Sequence, residues 1–215
     1  MSNSVPQLQV SVADGTRRYD FYSTSAFREY LSLLTPPPPT LRLTSYLDEF
    51  RAFPQVDQVL LTYYNEILKC TENGLRLAPS MLIGCLSELL VLRLLKAIGD
   101  YLEDLNAVDN FLSRHSNVQR QFDYTREMVR KGKEKLQRSI TLQQTQLNAF
   151  RDFDAIVAHV FDSIRLRRND YVHPKPEMCL DDLPPENVIT ANVQAFNPYA
   201  KVILTLIDIF KQSST

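Results

Sequence analysis

After residue 40, apolar positions recur at spacings of three and four, and that period predicts helices nearly throughout. TSYLDEF opens a short helix with Thr44 or Ser45 as its cap. A second helix is expected over Asp57 to Asn73, closed by Asn73-Gly74. A third begins with Pro79 at its first position and runs to about Leu105. It is apolar at 81, 82, 83, 85, 86, 89, 90, 91, 92, 94 and 95, so it belongs at the centre of a core. Positions 118, 122, 125, 129, 132, 136 and 140 trace a fourth, amphipathic helix. Phe150, Phe153, Val157, Val160 and Ile164 trace a fifth. A last helix is expected from Pro198 to about Lys211, carrying Val202, Ile203, Leu206, Ile209 and Phe210.

The first 23 residues read differently. LQVSV and RRYDFY flank ADGT, and Asp14-Gly15 is a strong turn signal, so a small β-hairpin is expected. A short helix over Ser25 to Leu34 follows, then four consecutive prolines, Pro36 to Pro39, which form extended polyproline II. The expected organisation is an N-terminal hairpin, short helix and proline linker over 1–40 and a helical domain over 41–215. The fold class is all-α, a helical bundle with a small N-terminal hairpin. With only five glycines, the composition favours a bundle over a sheet protein.

At 215 residues the chain can bury a large core without staples. Three cysteines, two of them in apolar helical patterns, fit reduced thiols in a cytoplasmic protein. No leader pattern opens the sequence, and Met81 to Leu92 is interrupted by Ser87 and Glu88, too short and polar for a membrane span. The net charge of −1 means that any nucleic-acid affinity must come from a local patch. One candidate is 114–138, with eight Lys or Arg against three acids. Arg126, Arg130 and Lys133 share a face there and can track an RNA backbone. A solvated helix face accounts for the same charges.

The candidate chemistry is concentrated in RNDYVHP, Arg168 to Pro174. The inward stripe of the fifth helix reaches Ile164, and its next inward position is Arg167 or Arg168, with Arg165 beside them. The same face therefore turns cationic at its C-terminal end. Pro174 disfavours helical geometry at His173, so the helix should end there. Arginine offers a permanent planar fork for phosphate. Histidine titrates near neutrality and can give or take a proton. Basic residues at a helix C-terminus are also favoured by the macrodipole alone. An unpaired Glu88 would be costly in the very apolar third helix; Arg168 is the attractive partner, and a pairing with Arg93 or another core-edge cation, or simple exposure, is the alternative. His159 reads as a core-edge histidine and His115 as part of a polar turn. No metal-ligand spacing and no glycine-rich phosphate loop is present, so no metal or cofactor is expected.

Arg168, Asn169, three residues, His173 and Pro174 resemble the signature of the HEPN superfamily (higher eukaryotes and prokaryotes nucleotide-binding domains). The helix order over the last 155 residues or so is also similar, with the motif late in the chain and a closing helix after it. The resemblance implies a metal-independent endoribonuclease that acts as a homodimer, its composite cleft at the interface. Arg168, Asn169, His173 and Glu88 would be the catalytic group, and Arg126, Arg130, Lys133, Arg165 and Arg167 the RNA-binding group. It also implies RNA as partner, a toxin or antiviral defence role, and a cognate antitoxin or regulatory protein. The alternative is a HEPN-type scaffold that binds RNA or protein without catalysis; a pure scaffold needs neither Arg168 nor His173.

Overall fold

A computed structural model describes residues 13–14, 17–18, 44–172 and 183–214, with backbone alone for 13–14, 17–18, 44, 166–172 and 186. Two units, Met1–Pro37 and Pro38–Thr215, are separable. In the first, Ala13–Asp14 pairs antiparallel with Arg17–Arg18. The rest of the expected hairpin, the helix at Ser25 and the proline run lie outside the described residues.

The described part of the second unit is all helical: α1 Thr44–Arg51, α2 Gln58–Glu72, α3 Leu77–Tyr101, α4 Leu105–Arg114, α5 Val118–Ser139, α6 Gln144–Asp152, α7 Ala158–Val172 and α8 Glu186–Gln212. A π-helical turn, Phe153–Val157, joins α6 to α7 in one continuous rod. Asp57 starts α2, its side chain accepting from the Leu60 N–H at 3.0 Å. Asn73-Gly74 ends it as the sequence predicts. Gly74 takes φ 69°, and the Gly74 and Leu75 amides bond back to Thr71 and Cys70. This is a Schellman closure, which needs a left-handed residue after the cap.

Three expectations need correction. The third helix stops at Tyr101, not Leu105, and begins at Leu77, two residues before Pro79. Glu103 takes the left-handed position, φ 61°. The Glu103 and Asp104 amides return to Asp100 and Gly99, repeating the closure seen at Gly74. A separate helix, α4, then turns back along α3. A Cβ on Gly99 would stand 2.7 Å from the Val108 side chain, so the close approach of α4 requires glycine there. The last helix begins at Glu186, and Pro198 lies within it. Proline usually opens a helix because it lacks an N–H. Here Ile189, Val193 and Phe196 continue the buried stripe upstream of it, and their packing outweighs one missing hydrogen bond. His159, expected at the core edge, is exposed. The π-turn adds a residue to the helical repeat just before it, and Val157, Val160 and Phe161 take the inward positions.

Helix α3 is central, packed by α8, α2, α5, α7 and α4. Tyr199 of α8 donates to the Ser87 carbonyl at 2.9 Å, and Phe210 meets Tyr101 at 5.5 Å between ring centres. Those two contacts set α3 and α8 running in the same direction. Phe150 reaches the same Phe210 ring at 5.9 Å, while Phe122 stacks on Phe161 at 4.3 Å. The rod α6–α7 therefore starts at the C-terminal end of α3 and α8 and runs antiparallel to α5. At the other end, Arg76 donates through Nε to the Pro184 carbonyl at 2.8 Å and through a terminal nitrogen to Leu183. That clamp holds the entry to α8 against the start of α3. Among the described residues, no helix is long and apolar enough to cross a membrane.

Candidate functional site

The motif rides on α7. Its helical backbone continues through Arg167, Arg168 and Asn169 to Val172, so the basic pair stays on the axis that buries Val157, Val160, Phe161 and Ile164 upstream. The side chains of Arg167, Arg168 and Asn169 lie outside those described, and His173 lies outside the described residues altogether. Arg165 is the last cation of α7 whose surroundings are visible. Its side chain is 22% exposed, and a terminal nitrogen stands 3.7 Å from Asp162 Oδ1. Arg165 Nε and Asp162 Oδ1 are both buried without a hydrogen-bond partner among the described residues. A buried guanidinium donor left open in this way is costly unless something accepts from it.

Glu88 sits half-buried on α3, the helix against which α7 packs. Its neighbour Ser87 accepts from Tyr199. Burial first, and the charge of Glu88 in addition, push the Tyr199 hydroxyl well above its ordinary value, so it stays protonated and donates. Glu88 thus stands near enough to α8 for its charge to act on Tyr199. Any contact between Glu88 and Arg168 lies outside the described side chains.

The basic helix α5 is largely neutralised where RNA contacts are expected. Arg126 pairs with Asp154 of the π-turn at 3.6 Å. Arg130 pairs with Glu134 at 2.8 Å, and Lys131 with Glu127 at 2.7 Å. Lys131 holds the Glu127 carboxyl below the usual range by that hydrogen bond, and its own pKa rises in return. Lys133 lies over the Phe150 ring, 5.7 Å from its centre. Lys135 donates to the Tyr101 carbonyl at 3.0 Å and covers that ring. Spacing showed which cations share a face. It did not show that acids one turn away, and Asp154 on another element, already answer them.

Sequence reasoning passed over the α4–α5 corner. His115 follows α4 directly, with its ring 4.7 Å from Phe111; Phe111 in turn stacks on Tyr124 at 4.0 Å. The signal was available as an aromatic and a histidine four apart, but His115 read only as a turn residue.

A groove of about 400 Å³ opens where α3, α5 and α8 end, lined by Asp100, Tyr101, Glu103, Lys135, Ile140 and Ser213 among others. It lies at the end of the bundle away from the Arg76 clamp and so away from the motif. Among the described residues no group of His, Cys, Asp or Glu is placed to hold a metal ion. No protein-family model, curated protein or solved structure matches this chain.

Proposed function

We propose that this chain is a metal-independent endoribonuclease of the HEPN type, working as a homodimer. The observation that carries the reading is the spacing Arg168, Asn169, three residues, His173, Pro174 at the end of α7. Its setting supports it: a late helix packed on the central helix that bears Glu88, followed by a closing helix.

RNA brings its own nucleophile, the 2′-hydroxyl. Cleavage needs a base for that hydroxyl, an acid for the departing 5′-oxygen, and positive charge for the phosphoryl oxygens. In this reading His173 moves a proton. Arg168 holds the phosphate and meets the charge that builds in the transition state. Asn169 orients the imidazole or binds a phosphate oxygen, and Glu88 fixes the arginine. One copy supplies one imidazole. A two-fold pair supplies two, one as base and one as acid, which is the chemical reason for a dimer. A growth-arresting toxin or antiviral effector, held by a cognate antitoxin or regulatory protein, is the role that fits such an activity.

The test is direct. Purified protein should cut RNA in the presence of a chelator and leave 2′,3′-cyclic phosphate ends. His173→Ala should lower the rate by about 10²–10⁴-fold, the usual worth of general acid–base help, and Arg168→Ala should be similarly impaired. No cleavage by the parent, with both variants indistinguishable from it in cells, would retire the reading.

A further inference from the structure

Four of the seven cations of α5 stand within ion-pair distance of an acid. Arg138, near its C-terminal end, is exposed without an ion pair among the described residues, and two more unpaired arginines mark its start. Arg114, the last residue of α4, and Arg120, in the first turn of α5, are both exposed and make no ion pair among the described residues. Between them lies His115, whose ring leans at 45° against Phe111, which stacks on Tyr124. All three rings are half-buried, so each keeps part of its surface open to solvent. Of the neighbouring acids, Glu127 is held by Lys131, while Asp123, which accepts from the neutral Gln119 amide at 3.1 Å, and Asp104, whose charge reaches Tyr124, keep their charge. Two free guanidinium groups flanking a partly open aromatic stack combine phosphate attraction with a surface on which a base can lie.

The corner lies at the motif's end of the bundle, across α5 from α7. The Phe122–Phe161 stack puts the first turns of α5 beside the stretch of α7 that leads to Arg165. From Phe161 to Arg168 is seven residues along one helix, roughly 10 Å at 1.5 Å per residue. Arg165, with its open Nε, lies between.

We infer that the α4–α5 corner is a landing platform for single-stranded RNA, with a base against the His115, Phe111 and Tyr124 rings and Arg114 and Arg120 on the flanking phosphates. The identity of the strand rests on the ribonuclease reading; the platform itself rests on the corner's geometry. From there the strand passes Arg165 toward Arg168. Selectivity for single strands follows from the stack, because a paired base has no free face to offer.

The full chain carrying His173→Ala keeps RNA intact, so binding can be read by fluorescence anisotropy with a labelled oligouridylate. The double change Arg114→Gln, Arg120→Gln should reduce the slope of log affinity against log salt by about 1.4, at roughly 0.7 per phosphate contact on a single strand. His115→Ala should weaken binding by about 5–100-fold, the range for one stacked base. Arg138→Gln, an exposed cation elsewhere on α5, should leave binding unchanged, and a duplex RNA should bind more weakly than the single strand. Unchanged affinity and slope in the corner variants, equal binding of duplex, or no binding by the parent would each overturn the platform. Cleavage by the unsubstituted protein is scored separately. Cleavage with indifferent corner variants sinks the platform and leaves the ribonuclease. Corner-dependent binding without cleavage does the reverse.

Discussion

Asp57 does two things with one carboxylate. It caps α2 through the Leu60 N–H, and its other oxygen meets Arg93 of α3 at 2.8 Å. The Leu60 hydrogen bond chiefly, opposed by burial and aided by the hydrogen bond and charge of Arg93, holds its pKa below the ordinary value of about 3.8. A carboxyl depressed in the folded state contributes stability above its unfolded pKa and loses it as pH falls through the folded one. Asp57→Ala should therefore cost about 1 kcal/mol near neutrality, as for other cap removals. Denaturant titrations of the variant and parent should converge in acid, below about pH 4. Gly132 is a second single-residue constraint. A Cβ there would stand 2.6 Å from the Phe210 ring, which is fully buried. Helix propensity favours Gly132→Ala by about 1 kcal/mol, but overpacking costs roughly 1–3 kcal/mol. The expected net result is a loss of about 1 kcal/mol in a urea titration. Combining it with Phe210→Leu should reverse the sign of the glycine substitution, since the obstructing ring is gone. Gain of stability by Gly132→Ala in the parent background would show that Phe210 moves aside freely.

Helix ends show which local rules can be read from residue types and which cannot. The α2 and α3 closures have the same hydrogen bonds. The first was legible because Asn73-Gly74 is the residue pair that the geometry favours. The second was not, because Glu103 occupies the left-handed position usually given to glycine. A non-glycine residue there is strained by about 1 kcal/mol. The Glu103 pairing with Lys135, at 3.7 Å with the carboxylate 89% exposed, offsets little. Glu103→Gly should raise the midpoint of thermal unfolding by about 2–4 °C for a gain of about 1 kcal/mol in a domain this size. A lower midpoint would mean that the Lys135 contact matters more than the backbone. Pro198 misled the reading in the opposite direction. As a residue type it marks a helix start, yet the apolar stripe on both sides of it is continuous. Nothing local announced the π-turn at Phe153. It keeps Phe153 and Val157 both buried where an ideal repeat would let the stripe drift.

Across the whole molecule, one buried amide ties three helices. Asn197 Oδ1 accepts from the Tyr64 hydroxyl of α2 at 2.6 Å. Its Nδ2 donates to the Tyr46 carbonyl and to Glu49 of α1, at 3.2 and 2.8 Å. Burial above all, with the charge of Glu49 adding to it, keeps the Tyr64 hydroxyl protonated. Asn197→Ala strands that hydroxyl inside the core, at a cost of roughly 1–3 kcal/mol for the unpaired group. Because α1 packs only through α2 and α8 among the stronger helix contacts, hydrogen exchange should show α1 amides losing protection before those of α3. Uniform loss across the bundle would show that α1 is not separable. At this scale the ribonuclease reading also becomes a question of assembly. The motif end of α7 and the α4–α5 corner lie toward one end of the bundle, and the groove at the ends of α3, α5 and α8 lies at the other. A dimer competent for cleavage has to form around the former.

The sequence by itself determined the helical class, the central place of the third helix and the location of the candidate motif. Each of these depends on periodicity or on residues adjacent along the chain. The apolar runs of α3, α5 and α7 needed no partner to be recognised. Only the tertiary structure decided which cations are already answered. Arg126 meets Asp154 and Lys135 meets Glu103 across elements, so a charge count along α5 overstates its free charge. It also decided that α4 exists, that α8 passes through Pro198, and that Arg114, His115 and Arg120 stand beside the Phe111–Tyr124 pair. Those outcomes come from distant residues brought together, where packing energy overrides local preference and pairing cancels local charge.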